Sequence, residues 1–557
     1  MGSDRTGSFG AIRRHPWESL LVLLMVLSGA LLLAFRSDFG FFLDDWGLVI
    51  GREGSPTDWL LPHNEHIVLL PAAIYKLSLN VFGMTAMPIH CLAVALFLTS
   101  VGLLFLWLRP LVGAAVAVLF CAVVLFLGSA AEDLIWAFQI GFFGSVASGL
   151  AALLLLRKGT VRADGWACLL LVIGLLFSSL GIPFAIGAAV QLLFRQGPRP
   201  NWSTLLRRSW VYLVPATVYV IWWLGWGHLA PNSVSAHNAA DDPLYVLSAF
   251  AFAGSVVTGT FPLKEVAAGF IWAIPGLILL SGLVALVIRR RQVPAALLVA
   301  AAVGFSFWAL SGLNYIPGRE FIASRYQYPG AIFILMIFGG ALSGYRPGPG
   351  VLKLIAAVAL VAVAVNLAAL VASFRDTYKP YEERGLVALT AFDISSRTVG
   401  PDAAVPINED GTAVVDARSY FKAVDKYGSP GLNEDQIDGA SATNRTLLDQ
   451  TLVAILPVTL PAPDLVKPYR NRCRILTADA TASDIAEVTS SLLYIRPTNQ
   501  VVIRLGRFGP GVGALGWRTI GNRPTGYRIP EDNSDRAWRI GFQGTGKVTV
   551  CPARASG

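Results

Sequence analysis

Apolar runs of around twenty residues recur through the first two thirds of the chain, separated by short polar loops. A helix needs about 20 apolar residues to cross the hydrocarbon layer of a bilayer. The runs predict helices over 17–36, 86–108, 110–128, 139–156, 165–180, 182–194, 210–228, 266–288, 293–311, 328–344 and 351–372. Two other stretches are apolar without reading as clean spans. Residues 63–82 open on HNEH, contain Pro71 and Lys76, and predict an interfacial helix. Residues 243–262 are rich in Gly, Ser and Thr and predict an interfacial or re-entrant segment.

The pattern changes after about residue 373. Long apolar runs give way to short ones, such as LVAILPVTLP, SLLYIRP, QVVIRLGRF, WRIGFQ and KVTVCPA, set apart by Gly, Pro and Asn. Those are strand and turn signals. The stretch near 377–450 is more mixed, with helical pieces such as SYFKAVDKYG. The predicted fold class is a polytopic α-helical membrane protein with about eleven transmembrane helices and a β-rich C-terminal domain. The predicted division is residues 1–372 for the membrane domain and 373–557 for the tail. Aromatic residues of the tail, Trp517, Tyr527, Trp538 and Phe542, read as core.

Composition agrees: 54% of the 557 residues are hydrophobic and only 14% charged, where soluble domains carry about 25%. The net charge of +9 is spread over loops and forms no basic groove interleaved with aromatics, which argues against nucleic acid as a partner. With the N-terminus inside, the inner loops receive fifteen Lys and Arg, among them Arg13, Arg14, Arg157, Arg199, Arg207, Arg208, Arg290 and Arg291. The outer loops before the tail receive six: Arg36, Arg52, Lys76, Lys264, Arg319 and Arg325. The positive-inside rule then predicts a cytoplasmic N-terminus and an extracytoplasmic tail; with no retention signal in the sequence, the expected membrane is a plasma (inner) membrane. The run Trp17–Phe35 is long for a signal peptide and no small-residue cleavage site follows it closely, so it reads as a retained first helix. Cys91, Cys121 and Cys168 lie in apolar segments. Cys473 and Cys551 lie in the tail, where one disulfide and two free thiols both fit the sequence.

Ionisable residues beside a membrane core point to function. They gather in three outer loops. The first holds Asp44 and Asp45 in FFLDDWG, Asp58, and then His63, Glu65 and His66 in PHNEH. The second holds Glu132 and Asp133 in SAAEDLIWAFQ. The third holds Arg319, Arg325 and Tyr326 in LNYIPGREFIASRYQYP. A carboxylate such as Asp44, Asp45, Glu132 or Asp133 can take a proton from an attacking hydroxyl. Asp44 and Asp45 together could hold a divalent metal such as Mg or Mn. Arg319 and Arg325 suit phosphate oxygens. His63 and His66, with Glu65 between them, form only a weak metal pattern and lack the HExxH spacing. The WWLGW run at Trp222–Trp226 reads as an aromatic belt before a sugar platform. Asn444 begins an NRT sequon.

This layout over residues 1–372 resembles the GT-C superfamily of membrane glycosyltransferases, in the manner of protein O-mannosyltransferases and the aminoarabinose transferase. The resemblance implies an acidic motif after the first helix, where Asp44 and Asp45 stand, and an interfacial helix in the same loop, matched by 63–82. It implies a second acidic position, matched by Glu132 or Asp133, and a late cation for lipid phosphate, matched by Arg319 or Arg325. It implies inverting sugar transfer from a polyprenyl-phosphate donor to a hydroxyl of a glycan, lipid or protein acceptor, with membrane lipid as the medium. The chain lacks the WWDYG signature of oligosaccharyltransferases, which leaves donor and acceptor open. The alternative is a transporter or flippase for a lipid-linked glycan, which should carry polar residues at mid-membrane and broken helices.

Overall fold

A computed structural model describes residues 15–52, 57–195, 201–231, 233–261, 269–289, 293–395, 398–408, 413–456, 466–488, 490–512, 519–521, 523–529 and 532–555. Arg13, Arg14, Arg199, Lys264, Arg290, Arg291 and Trp517 lie outside the described residues, as do the start of the 266–288 run and the end of LVAILPVTLP.

Each of the eleven apolar runs contains a helix, from Pro16–Arg36 to Pro349–Ser373. Among the described residues, five helices are long and apolar enough to cross a membrane: Pro16–Arg36, Met87–Val112, Ala137–Leu156, Ala295–Leu313 and the one that begins at Pro349. A sixth is added if the bent pair Ala114–Leu125 and Gly128–Ile135 counts as one span. Many of their apolar side chains point outward, including Val22, Leu23, Val26, Leu106 and Leu360, as lipid-facing positions do. The chain is a membrane protein. Gly181–Leu193 and Trp210–Gly225 are apolar but shorter than a full span. Within the stretch 243–262, residues 243–258 lie in a 23-residue helix, Ala236–Thr258, which is not among the helices long and apolar enough to span. Its small residues serve packing. A Cβ on Gly276 of the helix Ala273–Arg289 would fall 2.1 Å from the Ala251 carbonyl oxygen, so the two backbones touch there.

The chain divides into two compact units. The first comprises 1–39, 52–78 and 86–378; the second comprises 40–51, 79–85 and 379–557. The boundary thus falls six residues past the expected 372, and two short pieces of the first outer loop belong with the tail. Hydrogen bonds account for this. The Gly40 amide donates to Glu382 Oε1 at 3.0 Å, and the Met84 amide donates to the Tyr427 carbonyl at 2.9 Å.

Polar residues of the first unit collect at its two ends. At one end, Arg109 pairs with Glu18 at 3.0 Å, Arg157 lies over the Trp107 ring, and Arg346 donates to the Leu111 carbonyl. At the other, Arg36 is only 1% exposed and donates to the carbonyls of Leu134, His90 and Asp133. A buried guanidinium requires such acceptors in a medium without water.

The second unit carries helices Lys379–Ile394, Ala417–Tyr427, Glu434–Gly439 and Ala442–Ile455, followed by two antiparallel sheets. One sheet orders Ala486–Glu487, Arg539–Gly544, Val501–Gly506 and Thr519–Ile520. The other is built on the long strand Gly546–Ala555, which pairs with Val466–Pro468, Arg474–Ala478 and Leu492–Pro497; Leu492–Pro497 also pairs with Thr525–Arg528. Asp449 ties helix to sheet by accepting from the amides of Arg507, Phe508 and Gly509. Tyr527, Trp538 and Phe542 are core, as expected. Asn444 is 7% exposed and its side-chain nitrogen donates to Glu383, so the sequon is sheltered.

Register settles the thiol question. Arg474 pairs with Val550, which brings Cys473 beside Cys551, and the two form a disulfide with a Cα–Cα distance of 4.1 Å. The bridge closes a loop of 78 residues, whose chain-entropy contribution is about 4 kcal/mol. Reductant should therefore lower the melting temperature of the wild type and leave a Cys473→Ser/Cys551→Ser double variant unmoved, read by thermal melting with and without dithiothreitol.

Candidate functional site

The PHNEH segment folds as a tight turn, not as the helix start its spacing predicts. The amides and carbonyls of His63 and His66 exchange hydrogen bonds at 3.0 and 2.9 Å. Asn64 (φ 46°) and Glu65 (φ 67°) lie between them in the left-handed region, and the helix begins only at Leu69. Asn tolerates that conformation; Glu does so at a cost. Such strain persists where the surroundings over-determine it. Glu65 is held on both oxygens, by Arg319 Nη1 at 3.0 Å and by Ser233 Oγ at 2.9 Å.

The late loop supplies the opposing charges. The Asn238 side chain pins this loop by donating to the carbonyls of Ser233, Leu313 and Tyr315. Arg325 Nη1 pairs with Glu132 Oε1 at 3.2 Å, while Nη2 donates to the Gly318 carbonyl. Tyr326 stands beside the Arg325 guanidinium, 5.7 Å from it to the ring centre. Glu132 stands in a short helix, Ala131–Ile135, after the break that follows Leu125. Two contacts fix this break. Ser324 Oγ accepts from the Glu132 amide and donates to the Ser129 carbonyl. Asn366 Oδ1 accepts from the Ser129 amide. Gly128 is required here, since a Cβ would sit 1.8 Å from the Asn366 carbonyl oxygen.

Two further candidates sit deeper. Asp133 is fully buried, and neither carboxyl oxygen makes a hydrogen bond of normal geometry; the amide of Tyr328 faces it from the start of the helix Gln327–Ala341. The inner flank of His66 is sheltered and its Nδ1 has no hydrogen-bond partner among the described residues. Burial, with Arg319, His63 and Arg325 nearby, pushes its pKa down to about 4, so the ring is neutral at physiological pH.

The structure thus brings His63, Glu65, His66, Glu132, Asp133, Arg319, Arg325 and Tyr326 together within the first unit. Asp44 and Asp45 lie in the second. Asp45 is fully buried and its Oδ2 accepts from the Phe42 amide at 2.8 Å, closing a turn in which Leu43 takes φ 42°. Asp44 is half-buried and precedes the short helix Asp45–Val49. Asp44 is thus the more accessible carboxylate of the pair. The donor set for a divalent metal at Asp44 and Asp45 is poor: one of the two carboxylates already closes a turn, and among the described residues no three His, Cys, Asp or Glu side chains converge. We derive no step through a metal.

Ser233, Asn238, Ser324, Asn366 and Arg36 escaped the sequence reading as parts of this site. Asn366 was detectable as a lone amide in an apolar run. Trp222 is 3% exposed and donates to the Leu60 carbonyl, so it braces a loop; Trp223 is exposed, as a belt residue should be. No family model, curated protein or solved structure matches the chain.

The His66 pKa has a signed consequence. In the unfolded chain the ring protonates near 6.5, in the folded protein only near 4. Between those values the unfolded state binds more protons, so stability falls as pH drops from 6.5 toward 4. The slope is at most about 1.4 kcal/mol per pH unit. His66→Gln should flatten the melting temperature across that window.

Replacing Glu132 by Gln leaves Arg325 poorly paired and should destabilise by about 1–3 kcal/mol, given the partial exposure of the guanidinium. A double-mutant cycle with Arg325→Gln should recover at least about 0.5 kcal/mol of coupling.

Proposed function

We propose that this protein is a membrane-embedded glycosyltransferase that moves a sugar from a polyprenyl-phosphate donor to an acceptor hydroxyl, with inversion. The observation that carries this reading is the cluster at one end of the first unit, where Glu65–Arg319 and Glu132–Arg325 set two guanidinium groups in place. Each arginine keeps N–H donors beyond its ion pair, and a planar, permanently charged group suits a phosphate leaving group. About eleven spans, an inner N-terminus and an outer tail belong to the same proposal.

In the reaction, the acceptor oxygen bonds to the anomeric carbon as the bond from that carbon to the phosphate oxygen breaks. The electron pair leaves with the phosphate, which arginine charge stabilises. The acceptor proton passes to a carboxylate; Glu132 is the candidate within this cluster, and Asp44 remains the candidate that the sequence offers. Asp45 and Asp133, both buried, are assigned to positioning.

A second reading has its own support. The break between Leu125 and Gly128, with buried Asp133 beyond it, is of the kind found in secondary transporters, which supports a transporter or flippase for a lipid-linked glycan as the alternative.

Reconstituted protein should be given radiolabelled polyprenyl-phosphate sugars and cell-envelope acceptors, with and without divalent metal. We expect transfer by the wild type and a loss of about 100-fold or more in Asp44→Asn, with thermal melting unchanged. Loss in Glu132→Gln with full activity in Asp44→Asn would move the base to Glu132. Movement of the donor across the bilayer without transfer would replace the enzyme reading by the transporter.

A further inference from the structure

The opposite end of the first unit carries a charge imbalance that the proposed reaction does not use. Asp164 lies in the first turn of the helix Val161–Phe177 and is fully buried. The amide end of a helix favours a carboxylate there. Its Oδ2 is shared by two guanidinium groups, Arg195 through Nη1 at 3.4 Å and Arg208 through Nη1. One carboxylate facing two guanidinium groups leaves a net positive charge. Arg195 Nη2 is shielded from solvent and has no acceptor among the described residues. A shielded guanidinium N–H without an acceptor is expensive unless an anion completes it. Asp164 Oδ1 has no partner among the described residues either, so the unmatched donor and the unmatched acceptor lie on the same pair.

The surroundings indicate which anion. The helix Val161–Phe177 is tied to the helix Trp210–Gly225 by the Cys168 thiol, which lies 3.8 Å from the Trp210 carbonyl. Beside this seam, Trp166 (54%), Leu169 (45%) and Leu213 (49%) are exposed. The short helix Trp202–Arg207, just before Arg208, presents Trp202 at 62% and Leu206 at 70%, four residues apart on one face. Exposed tryptophans next to arginines at a helix end mark the bilayer interface. A soluble anion would use the charge and leave the apolar strip uncovered. An acidic phospholipid uses both, with its phosphate at the guanidinium groups and its acyl chains along the strip.

We propose that Arg195 and Arg208, supported by Arg162 and Arg207, form a binding site for the headgroup of an anionic phospholipid from the leaflet at this end of the protein. Asp164 orients the two inner guanidinium groups. The site is independent of the glycosyltransferase reading and could stand if that reading fell.

Native mass spectrometry of the full chain in detergent, titrated with phosphatidylglycerol or with phosphatidylcholine, tests this. We expect phosphatidylglycerol to saturate one site at concentrations where phosphatidylcholine does not. Arg162→Gln/Arg207→Gln spares the Asp164 ion pairs and should weaken the site, by about fivefold for each charge removed. Arg346→Gln, at the same end but bonded to Leu111, should bind as the wild type does. Equal binding of the two lipids, an unaltered Arg162→Gln/Arg207→Gln variant, or equal weakening by Arg346→Gln would overturn the proposal. Arg195→Gln should abolish the single tight site; if it unfolds the protein, the first double variant still decides.

Discussion

A charge removed from water must find a counter-charge or a carbonyl, and the helical unit of this protein is arranged around that constraint. Its apolar helices leave almost no polar partners along their length, so ionisable side chains are driven to the helix ends. There several are matched one to one: Glu65 with Arg319, Glu132 with Arg325, Glu18 with Arg109; Asp164 instead faces two arginines. Arg36 has backbone carbonyls in place of a carboxylate. Once the pairs are set, they fix the loops. The late loop is drawn toward PHNEH and toward the acidic turn by its two arginines, which lie six residues apart in sequence and reach different partners.

The same constraint explains which residues the site requires but chemistry would not nominate. A break in an apolar helix frees backbone amides and carbonyls that lipid cannot satisfy. Ser324 and Asn366 satisfy those around Ser129 and Glu132, and Gly128 allows the helix bearing Asn366 to come close enough. Such residues hold the acidic turn in place without touching any substrate. The energetic weight of each is that of a buried polar group losing its partner, about 1–3 kcal/mol.

Much of this was legible in the sequence, because membrane helices announce themselves by length and hydropathy. The β-rich tail followed from turn residues between short apolar runs, and the three charged loops were visible as charges where none should be free. What escaped has physical causes. Residues 243–262 read as interfacial or re-entrant; what the sequence does not show is that their small residues permit backbone contact, as Ala251 does with Gly276. The PHNEH segment read as helical from the spacing of its histidines, but its conformation is set by Glu65, whose two partners lie far along the chain. Asp44 and Asp45 read as equivalent neighbours; a hydrogen bond from Phe42 separates an accessible carboxylate from a buried one.

Asp133 remains the residue on which the two functional readings divide. A buried carboxyl group without a hydrogen bond is destabilising if ionised and tolerable if protonated. In a transferase it would have a passive role, in the short helix beyond the break, where Arg36 grips the backbone of residues 133 and 134 from behind. In a transporter it would exchange its proton as the break moved. The contacts around it hold the turn in one arrangement. Ser129, Glu132 and the Asp133 backbone are tied to three different elements, by Asn366, Ser324 and Arg36, and Gly128 packs directly on the Asn366 backbone. A hinge needs two arrangements of similar energy, and a turn held from three sides has one.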